Sequence, residues 1–275
     1  MTTSDALHPL DAAIALEPVD PSDPSRLRGA TTPEYWNMVG PFGGTTAAVL
    51  LRAVLRQPNV HGEPITLTVN YAGPVAEGEF EVSVEAVRTN RSNQHWVITQ
   101  TQGEQVCTTA TAVTAVRKET WTDSEAQVPV VPPAESIEPS PDYPGIAWNA
   151  RYEQRMIEGG IPSETDGESD SSRTTFWVRD NPPRPVDVYS VTSQTDTLYP
   201  RAFLRKGTFL PAGTVSITIH YLADLPELEA LGEGYSLVTG AARRFGRSYF
   251  DQTSEVWSAH GKLLATAHQM VYFKA

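Results

Sequence analysis

Asp196 is the acidic side chain that most needs a chemical explanation. The apolar pattern predicts a helix over residues 188–204, and this helix is expected to be largely enclosed by the rest of the fold. An enclosed carboxylate is costly unless it receives hydrogen bonds or takes part in chemistry. A carboxylate held in this way can polarise a water molecule. The alternative is a solvent-facing helix position with no chemical role.

Pro200 follows Asp196 by four residues in the same predicted helix. It has no N–H to donate to the carbonyl of Asp196, so the helix is expected to be kinked or opened there. A displaced carbonyl beside the carboxylate would help to hold a water molecule.

Gly43 and Gly44 precede a second predicted helix, residues 45–57, which is apolar on most sides. Two glycines at this point allow a ligand to approach the free N–H groups of the helix N-terminus. Such N–H groups, with the helix dipole, stabilise negative charge that develops on a carbonyl oxygen. The simpler interpretation, a turn followed by a helix start, is compatible with this role.

Two further polar side chains lie on predicted strands. Gln269 alternates with His268 and Met270, so it faces away from both. Thr214 opens a strand whose next residues, Ser216 and Thr218, offer neighbouring hydroxyls. The alternatives are a glutamine that satisfies a nearby backbone group and an ordinary threonine at a strand start.

The strand after Thr214 has a second copy earlier in the chain. Residues 65–71 read ITLTVNY and residues 215–221 read VSITIHY, an offset of 150 that grows to 158 at the last hairpin. Internal repetition of this kind predicts two similar units. Pro64 stands opposite Thr214, and the offset of 158 places Thr111 opposite Gln269. We therefore expect one active site for each chain, built from the side chains of the second unit.

The order of elements divides the chain into four parts. Residues 1–33 are predicted to be a loose lead-in, and residues 34–117 a first unit of helix and four antiparallel strands. Residues 118–172, with seven prolines and twelve acidic side chains, are predicted to be a linker with a short helix near residues 148–157. Residues 173–275 repeat the helix and strands.

Composition limits the partners and the compartment. A net charge of −12 argues against binding to nucleic acid or to an anionic membrane. A single cysteine, the absence of a signal-peptide pattern and the lack of a long apolar run favour a protein of the cytoplasm. The six histidines have no metal-ligand spacing, and no nucleotide motif is present, so we expect neither a metal nor a cofactor. Both a monomer and a homo-oligomer through exposed sheet faces are compatible with duplication.

The pattern resembles the acyl-CoA thioesterase II family, over about residues 34–117 and 174–274. The resemblance is carried by residues 42–44 (FGG), residues 193–196 (SQTD), Thr214 and residues 264–269 (LATAHQ). It implies an α+β double hot-dog fold, two tandem units in which a long central helix is wrapped by a curved antiparallel sheet.

The resemblance also implies a function. In that family an Asp, a Thr and a Gln hold the hydrolytic water, which here would be Asp196, Thr214 and Gln269. The expected reaction is hydrolysis of an acyl-CoA thioester in lipid metabolism, with the acyl chain in an apolar channel between helix and sheet. A non-catalytic acyl-CoA or lipid-binding protein of the same fold is the alternative. A hot-dog hydratase or dehydratase is less favoured, because the helix of Asp196 has no histidine.

Overall fold

The computed structural model describes residues 7–163 and 165–274, and all thirteen strands in these ranges join one sheet. The early strands and helices are α1 (Pro9–Ala13), β1 (Glu17–Asp20), β2 (Asp23–Ala30), α2 (Gly43–Leu55), β3 (Glu63–Tyr71), β4 (Glu79–Thr89), β5 (Asn93–Gln102), β6 (Gln105–Ala115) and β7 (Tyr152–Glu158). The later ones are β8 (Thr174–Asp180), α3 (Val188–Gln194), α4 (Arg201–Lys206), β9 (Ala212–Tyr221), α5 (Leu225–Glu229), β10 (Ser236–Ala241), β11 (Phe245–Gly246), β12 (Tyr249–Ser258) and β13 (Leu263–Phe273).

The two repeated strands, β3 and β9, are neighbours at the centre of the sheet. The strand order is β1-β2-β4-β5-β6-β3-β9-β13-β12-β10-β8-β7, so the two halves mirror each other in order across the β3–β9 pair. In the antiparallel register Thr68 faces Thr218, and their hydroxyl oxygens are 3.1 Å apart. The repeat read from the sequence is therefore a local two-fold relation between the halves.

Helix α2 is buried on nearly every side, as its apolar sequence predicts. Ten of its thirteen residues are buried, and it packs against α3 and against β4, β5 and β6 of the sheet. The contact is close, because a Cβ at Gly44 would lie 2.5 Å from the carbonyl oxygen of Ser193. The two helices thus form one core with the inward side chains of both halves.

The second predicted helix, residues 188–204, is shorter than expected. Helix α3 ends at Gln194, and α4 begins only after Pro200. Hydroxyl side chains compete for the backbone here, since Thr192 donates to the carbonyl of Val188 and Thr195 to that of Thr192. The predicted opening near Pro200 is confirmed, while a long continuous second helix is wrong.

The prediction of a loose lead-in is wrong for residues 9–30. Strand β1 pairs with β2, and β2 pairs with β4 at one end of the sheet. Leu10, Ile14, Leu16 and Leu27 are buried in the core, which explains why this segment is ordered. Residues 1–6 of the predicted lead-in lie outside the described residues.

The predicted helix near residues 148–157 is also wrong. Residues 147–151 form one short 3₁₀ turn, and the chain then continues as β7, which pairs with β8. Tyr152 and Gln154 alternate with more exposed residues, a pattern of period two that fits a strand. None of the helices in the described ranges is long and apolar enough to cross a membrane.

Candidate active site

A cavity of about 460 Å³ lies at the N-terminal end of α2. Its size falls in the range of roughly 300–1,000 Å³ that is usual for small-molecule sites. The walls include the start of α2 and the residues before it, the end of β3, the turn after α3, the start of α4, the ends of β9 and β13, and the segment between the halves. The expected channel between helix and sheet is thus wrong in position, because only Gly43 and Thr46 of α2 line the cavity and its aliphatic residues fill the core.

Asp196 lines this cavity from the turn that follows α3. The N–H of Asp196 donates to the carbonyl of Ser193 at 3.2 Å, and the N–H of Thr197 donates to that of Gln194 at 3.2 Å. The backbone at Asp196 therefore follows a 3₁₀-type turn, which is tighter than an α-helix. Helix α3 ends first, and its packing on α2 aims the acid at the N-terminus of the longer helix.

Gln269 and Thr214 meet Asp196 in a chain of hydrogen bonds. The side-chain amide of Gln269 donates from Nε2 to Oδ1 of Asp196 at 2.8 Å. The hydroxyl of Thr214 donates to Oε1 of Gln269 at 3.1 Å. The structure thus brings all three side chains that the resemblance singled out to one wall of the cavity.

A β-bulge turns Thr214 towards Gln269. Strand β9 pairs Ser216 with Met270 but Thr214 with Val271, so Val215 is an extra residue in the ladder. Strict alternation from the buried Ile217 would have pointed Val215 inward and Thr214 outward. The bulge reverses these two directions, so Thr214 points inward and supplies its hydroxyl to the site.

Gly43 leaves room for the acid at the start of α2, and Gly44 leaves room for the backbone of α3. A Cβ on Gly43 would lie 2.7 Å from Oδ2 of Asp196, closer than side-chain atoms can pack. The hydroxyl of Tyr71 donates to the carbonyl of Gly43 at 2.8 Å and fixes this turn from the end of β3. The need for glycine is therefore steric as well as conformational.

The surroundings of Asp196 shift its acidity. Burial raises the pKa of the Asp196 carboxyl from 3.8 to about 7, against the opposing hydrogen bonds from Gln269 and from the backbone N–H of Gly44. Asp196 also contributes to raising the pKa of the buried Tyr71 hydroxyl, after burial itself. A base with a pKa near neutrality is well matched to proton transfer at physiological pH.

The first half has no equivalent of this polar chain. In the first half Leu67 pairs with Ala112, just as Ile217 pairs with Gln269 in the second half. Ala112 is therefore the equivalent of Gln269, and Pro64 is the equivalent of Thr214. The expected counterpart Thr111 is wrong by one residue, since the offset here is 157. A prolyl ring and a methyl group replace the hydroxyl and the amide.

Several cavity residues escaped the sequence analysis. The segment between the halves contributes Tyr143, Ile146, Trp148, Asn149, Gln154 and Ile161. Gln252, on the strand next to Gln269, and Tyr71 were also missed. The one signal available was that both repeat strands end in a tyrosine, Tyr71 and Tyr221. Among the described residues, no group of three or more His, Cys, Asp or Glu side chains is arranged to hold a metal ion.

Comparisons with known proteins identify the family of this chain. The model of the acyl-CoA thioesterase N-terminal domain matches residues 32–115, and that of the acyl-CoA thioesterase C-terminal domain matches residues 125–273. The chain belongs to the acyl-CoA thioesterase family. It is therefore a thioester hydrolase, and the expected family and the class of enzyme are confirmed. Comparison with curated protein sequences found no match.

Solved structures place this acyl-CoA thioesterase in the double hot-dog class. A hot-dog protein of unknown function from Alicyclobacillus acidocaldarius is 40% identical, with a TM-score of 0.92 over 98% of this chain and 99% of that chain. An acyl-CoA thioesterase II from Mycobacterium marinum is 15% identical, with a TM-score of 0.76 over 96% of this chain and 98% of that one. The second likeness shows the fold alone, and the α+β double hot-dog prediction is confirmed.

Proposed function

We propose that this thioesterase hydrolyses acyl-CoA to a free acid and coenzyme A with water activated by Asp196. The observation that carries the proposal is the chain from Thr214 through Gln269 to Asp196 on the wall of the cavity. A binding protein would not need an acid with a pKa near 7 at that wall.

Each member of the chain has a distinct part. Gln269 uses one N–H of its amide on Asp196, so the second N–H is available to a water molecule. The Thr214 hydroxyl holds the carbonyl end of that amide and so fixes which end faces the acid. Water that donates to Asp196 and accepts from Gln269 is held with a lone pair directed at the substrate.

The reaction then needs one base and one place for negative charge. Asp196 takes a proton as the water oxygen attacks the thioester carbonyl carbon, and the carbonyl electrons move to oxygen. The helix dipole at the N-terminus of α2 and the N–H of Gly43 stabilise that oxygen, while the N–H of Gly44 is already bonded to Asp196. Collapse restores the carbonyl and expels the thiolate, which receives the proton from Asp196. Direct attack by Asp196, with an anhydride intermediate, is the alternative route.

The cavity accommodates the acyl group. Its walls include the apolar side chains Met38, Phe42, Ile146, Ile161, Leu198, Phe203 and Val271. Met38 and Phe209 are about half exposed and mark its entrance. An acyl chain that enters here meets the carboxylate at its thioester end.

The test is hydrolysis of acyl-CoA substrates of increasing chain length by wild type and by Asp196→Asn. General-base catalysis is worth about 10²–10⁴-fold, so kcat/KM should fall by at least about 100-fold. Asp180→Asn is the matched control, because Asp180 is a buried acid beside α3 that does not line the cavity and its variant should keep its activity.

Two results would contradict the proposal. Asp196→Asn that keeps more than about a tenth of the activity would remove Asp196 from the mechanism. Wild type that binds acyl-CoA without hydrolysing it would favour the binding alternative. Single turnover in ¹⁸O-labelled water separates the two routes, since only the anhydride route transfers an unlabelled Asp196 oxygen to the first product acid.

A further inference from the structure

Four arginines form a basic rim beside the open end of the cavity. Arg205 lies on α4, and Arg243, Arg244 and Arg247 lie in the segment that joins β10 to β12. None of the four forms an ion pair within the part of the chain that the structure describes, although the chain carries a net charge of −12. Arginines without carboxylate partners on so acidic a protein suit an anionic ligand.

The basic rim packs on the cavity wall through aromatic side chains. The guanidinium of Arg205 lies over the ring of Phe245, 5.7 Å from its centroid. Phe245 packs in turn against the buried cluster that includes Val271, a residue of the cavity wall. On the helix of Arg205, Phe203 contacts Phe209 with ring centroids 5.0 Å apart, and both rings line the cavity. Phe209 is 48% exposed, so the rim lies next to a side of the cavity that opens to solvent.

Asp251 and Glu168 are acids beside the rim, and both have other partners. Oδ1 of Asp251 accepts from the backbone N–H groups of Arg243 and Arg244, at 3.0 and 2.9 Å. This carboxylate therefore holds the backbone of the turn. Glu168 forms an ion pair with Lys206. Neither acid neutralises a guanidinium of the rim by direct contact.

The turn presents Arg247 at its tip at a conformational cost. Strand β11 pairs Gly246 with Tyr249, which leaves Arg247 and Ser248 as the two turn residues. Their φ angles are +52° and +66°, in the left-handed region that Asn and Gly usually supply in such turns. Backbone conformations of this kind concentrate at ligand sites. A costly turn with an exposed arginine at its tip therefore favours a binding role for that side chain.

We infer that the basic rim binds the phosphates of the coenzyme A moiety while the thioester lies at Asp196. This inference rests on the proposed function and assigns the part of the site that holds the nucleotide end of the substrate. The five residues that follow Asp196, to Arg201, span at most about 18 Å, and four residues of α4 to Arg205 add about 6 Å. The pantetheine arm and a long arginine side chain together cover that distance. Arginine suits this ligand, because its planar fork of donors matches phosphate oxygens.

The experiment compares hexanoyl thioesters of coenzyme A, of 3′-dephospho-coenzyme A and of pantetheine, which carries no phosphate. Each exposed contact of an arginine with a phosphate changes binding by up to about fivefold. Wild type should therefore have a KM at least about tenfold higher for hexanoyl-pantetheine than for hexanoyl-CoA. The value of kcat should agree within about twofold, because the phosphates lie far from the reacting bond and bind substrate and transition state equally. The dephospho compound separates the 3′-phosphate from the diphosphate.

The quadruple variant Arg205→Gln, Arg243→Gln, Arg244→Gln, Arg247→Gln should remove this difference. KM for hexanoyl-CoA should rise at least about tenfold, while kcat/KM for hexanoyl-pantetheine stays within about twofold of wild type, which also shows that the variant is folded.

A double variant confined to the exposed turn, Arg244→Gln with Arg247→Gln, should raise KM for hexanoyl-CoA by at least about threefold. Arg88→Gln with Arg91→Gln is the matched control. It removes two exposed arginines near the corresponding turn of the first half, between β4 and β5, and neither residue lines the cavity. The control should leave KM for every substrate unchanged.

The outcomes separate this inference from the proposed function. Wild-type KM values for hexanoyl-CoA and hexanoyl-pantetheine that agree within about twofold would overturn phosphate binding and leave thioester hydrolysis intact. An unchanged KM of the quadruple variant for hexanoyl-CoA, or an equal effect of the control pair, would overturn the assignment to the basic rim. No hydrolysis of any of the three thioesters would count against the proposed function instead. Where the quadruple variant does not fold, the double variant decides the assignment.

Discussion

Replacing Gln269 with methionine is expected to move the pH dependence of hydrolysis to higher pH. Asp196 must be ionised to accept a proton, so kcat/KM should rise with pH around its pKa of about 7. The Gln269 hydrogen bond stabilises the ionised form and lowers the pKa. Without this hydrogen bond, less opposes the effect of burial, so the pKa of Asp196 must rise.

The size of the shift follows from the strength of that bond. A hydrogen bond to a charged group is worth about 1.5–3 kcal/mol, and one pKa unit corresponds to about 1.36 kcal/mol. The rise of kcat/KM with pH, the acid limb of the profile, should therefore move by about one to two pH units, to roughly pH 8–9. Thr214→Val should give a smaller shift in the same direction, because it loosens the amide without removing it.

The assay follows release of coenzyme A thiol from about pH 5 to about pH 10, with kcat/KM fitted to a single ionisation. Gln100→Met, a buried glutamine substitution away from the cavity, should keep the wild-type limb. A limb of Gln269→Met that stays in place or moves to lower pH would refute the assignment of the titrating group to Asp196.

Two further results are expected from the packing around the acid. Gly43→Ala should reduce kcat/KM by more than about tenfold, because its Cβ would lie 2.7 Å from Oδ2 of Asp196. The control Gly246→Ala, with open space around it, should behave as wild type. Equal activity of the two variants would show that the site tolerates the methyl group. Asp196→Asn should stabilise the protein by about 2 kcal/mol at pH 8, because a carboxyl with a raised pKa loses folded-state stability as pH rises from about 4 to about 7. Unfolding by urea at pH 8 and at pH 4 measures this gain, which should disappear at the lower pH.

The central strands and the first helix could be predicted from sequence because their signals are local. Alternation in residues 65–71 and 215–221 defines two strands, and the apolar run after Gly44 defines a buried helix. The prediction that Asp196, Thr214 and Gln269 share a site came from the resemblance and agrees with the hydrogen bonds. Their roles in catalysis stay a prediction until the variants are measured.

What the sequence concealed depends on contacts between distant segments. The bulge at Val215 has no local signature, although it decides which way Thr214 points. The turn between β12 and β13 is one residue longer than the turn between β5 and β6, so matching the glycines of these turns gave an offset that was wrong by one residue at Thr111. Trp148 and Gln154 lie in a proline-rich acidic segment, and only its packing on Phe42 and β8 shows that it forms a cavity wall.

The pairing of Thr68 with Thr218 lies on the local two-fold axis between the halves, and this symmetry has a consequence for how the protein can evolve. In a dimer of identical chains, every substitution occurs on both sides of the symmetry axis, so a residue needed on one side is imposed on the other. Fusion of the copies removes that constraint. Trp96 now occupies the strand position that corresponds to Gln252, and its indole N–H donates to Thr114 at 3.2 Å. Under the proposed mechanism, one copy was free to become scaffold while the other kept the chemistry, and the two copies are expected to accept mutations at unequal rates.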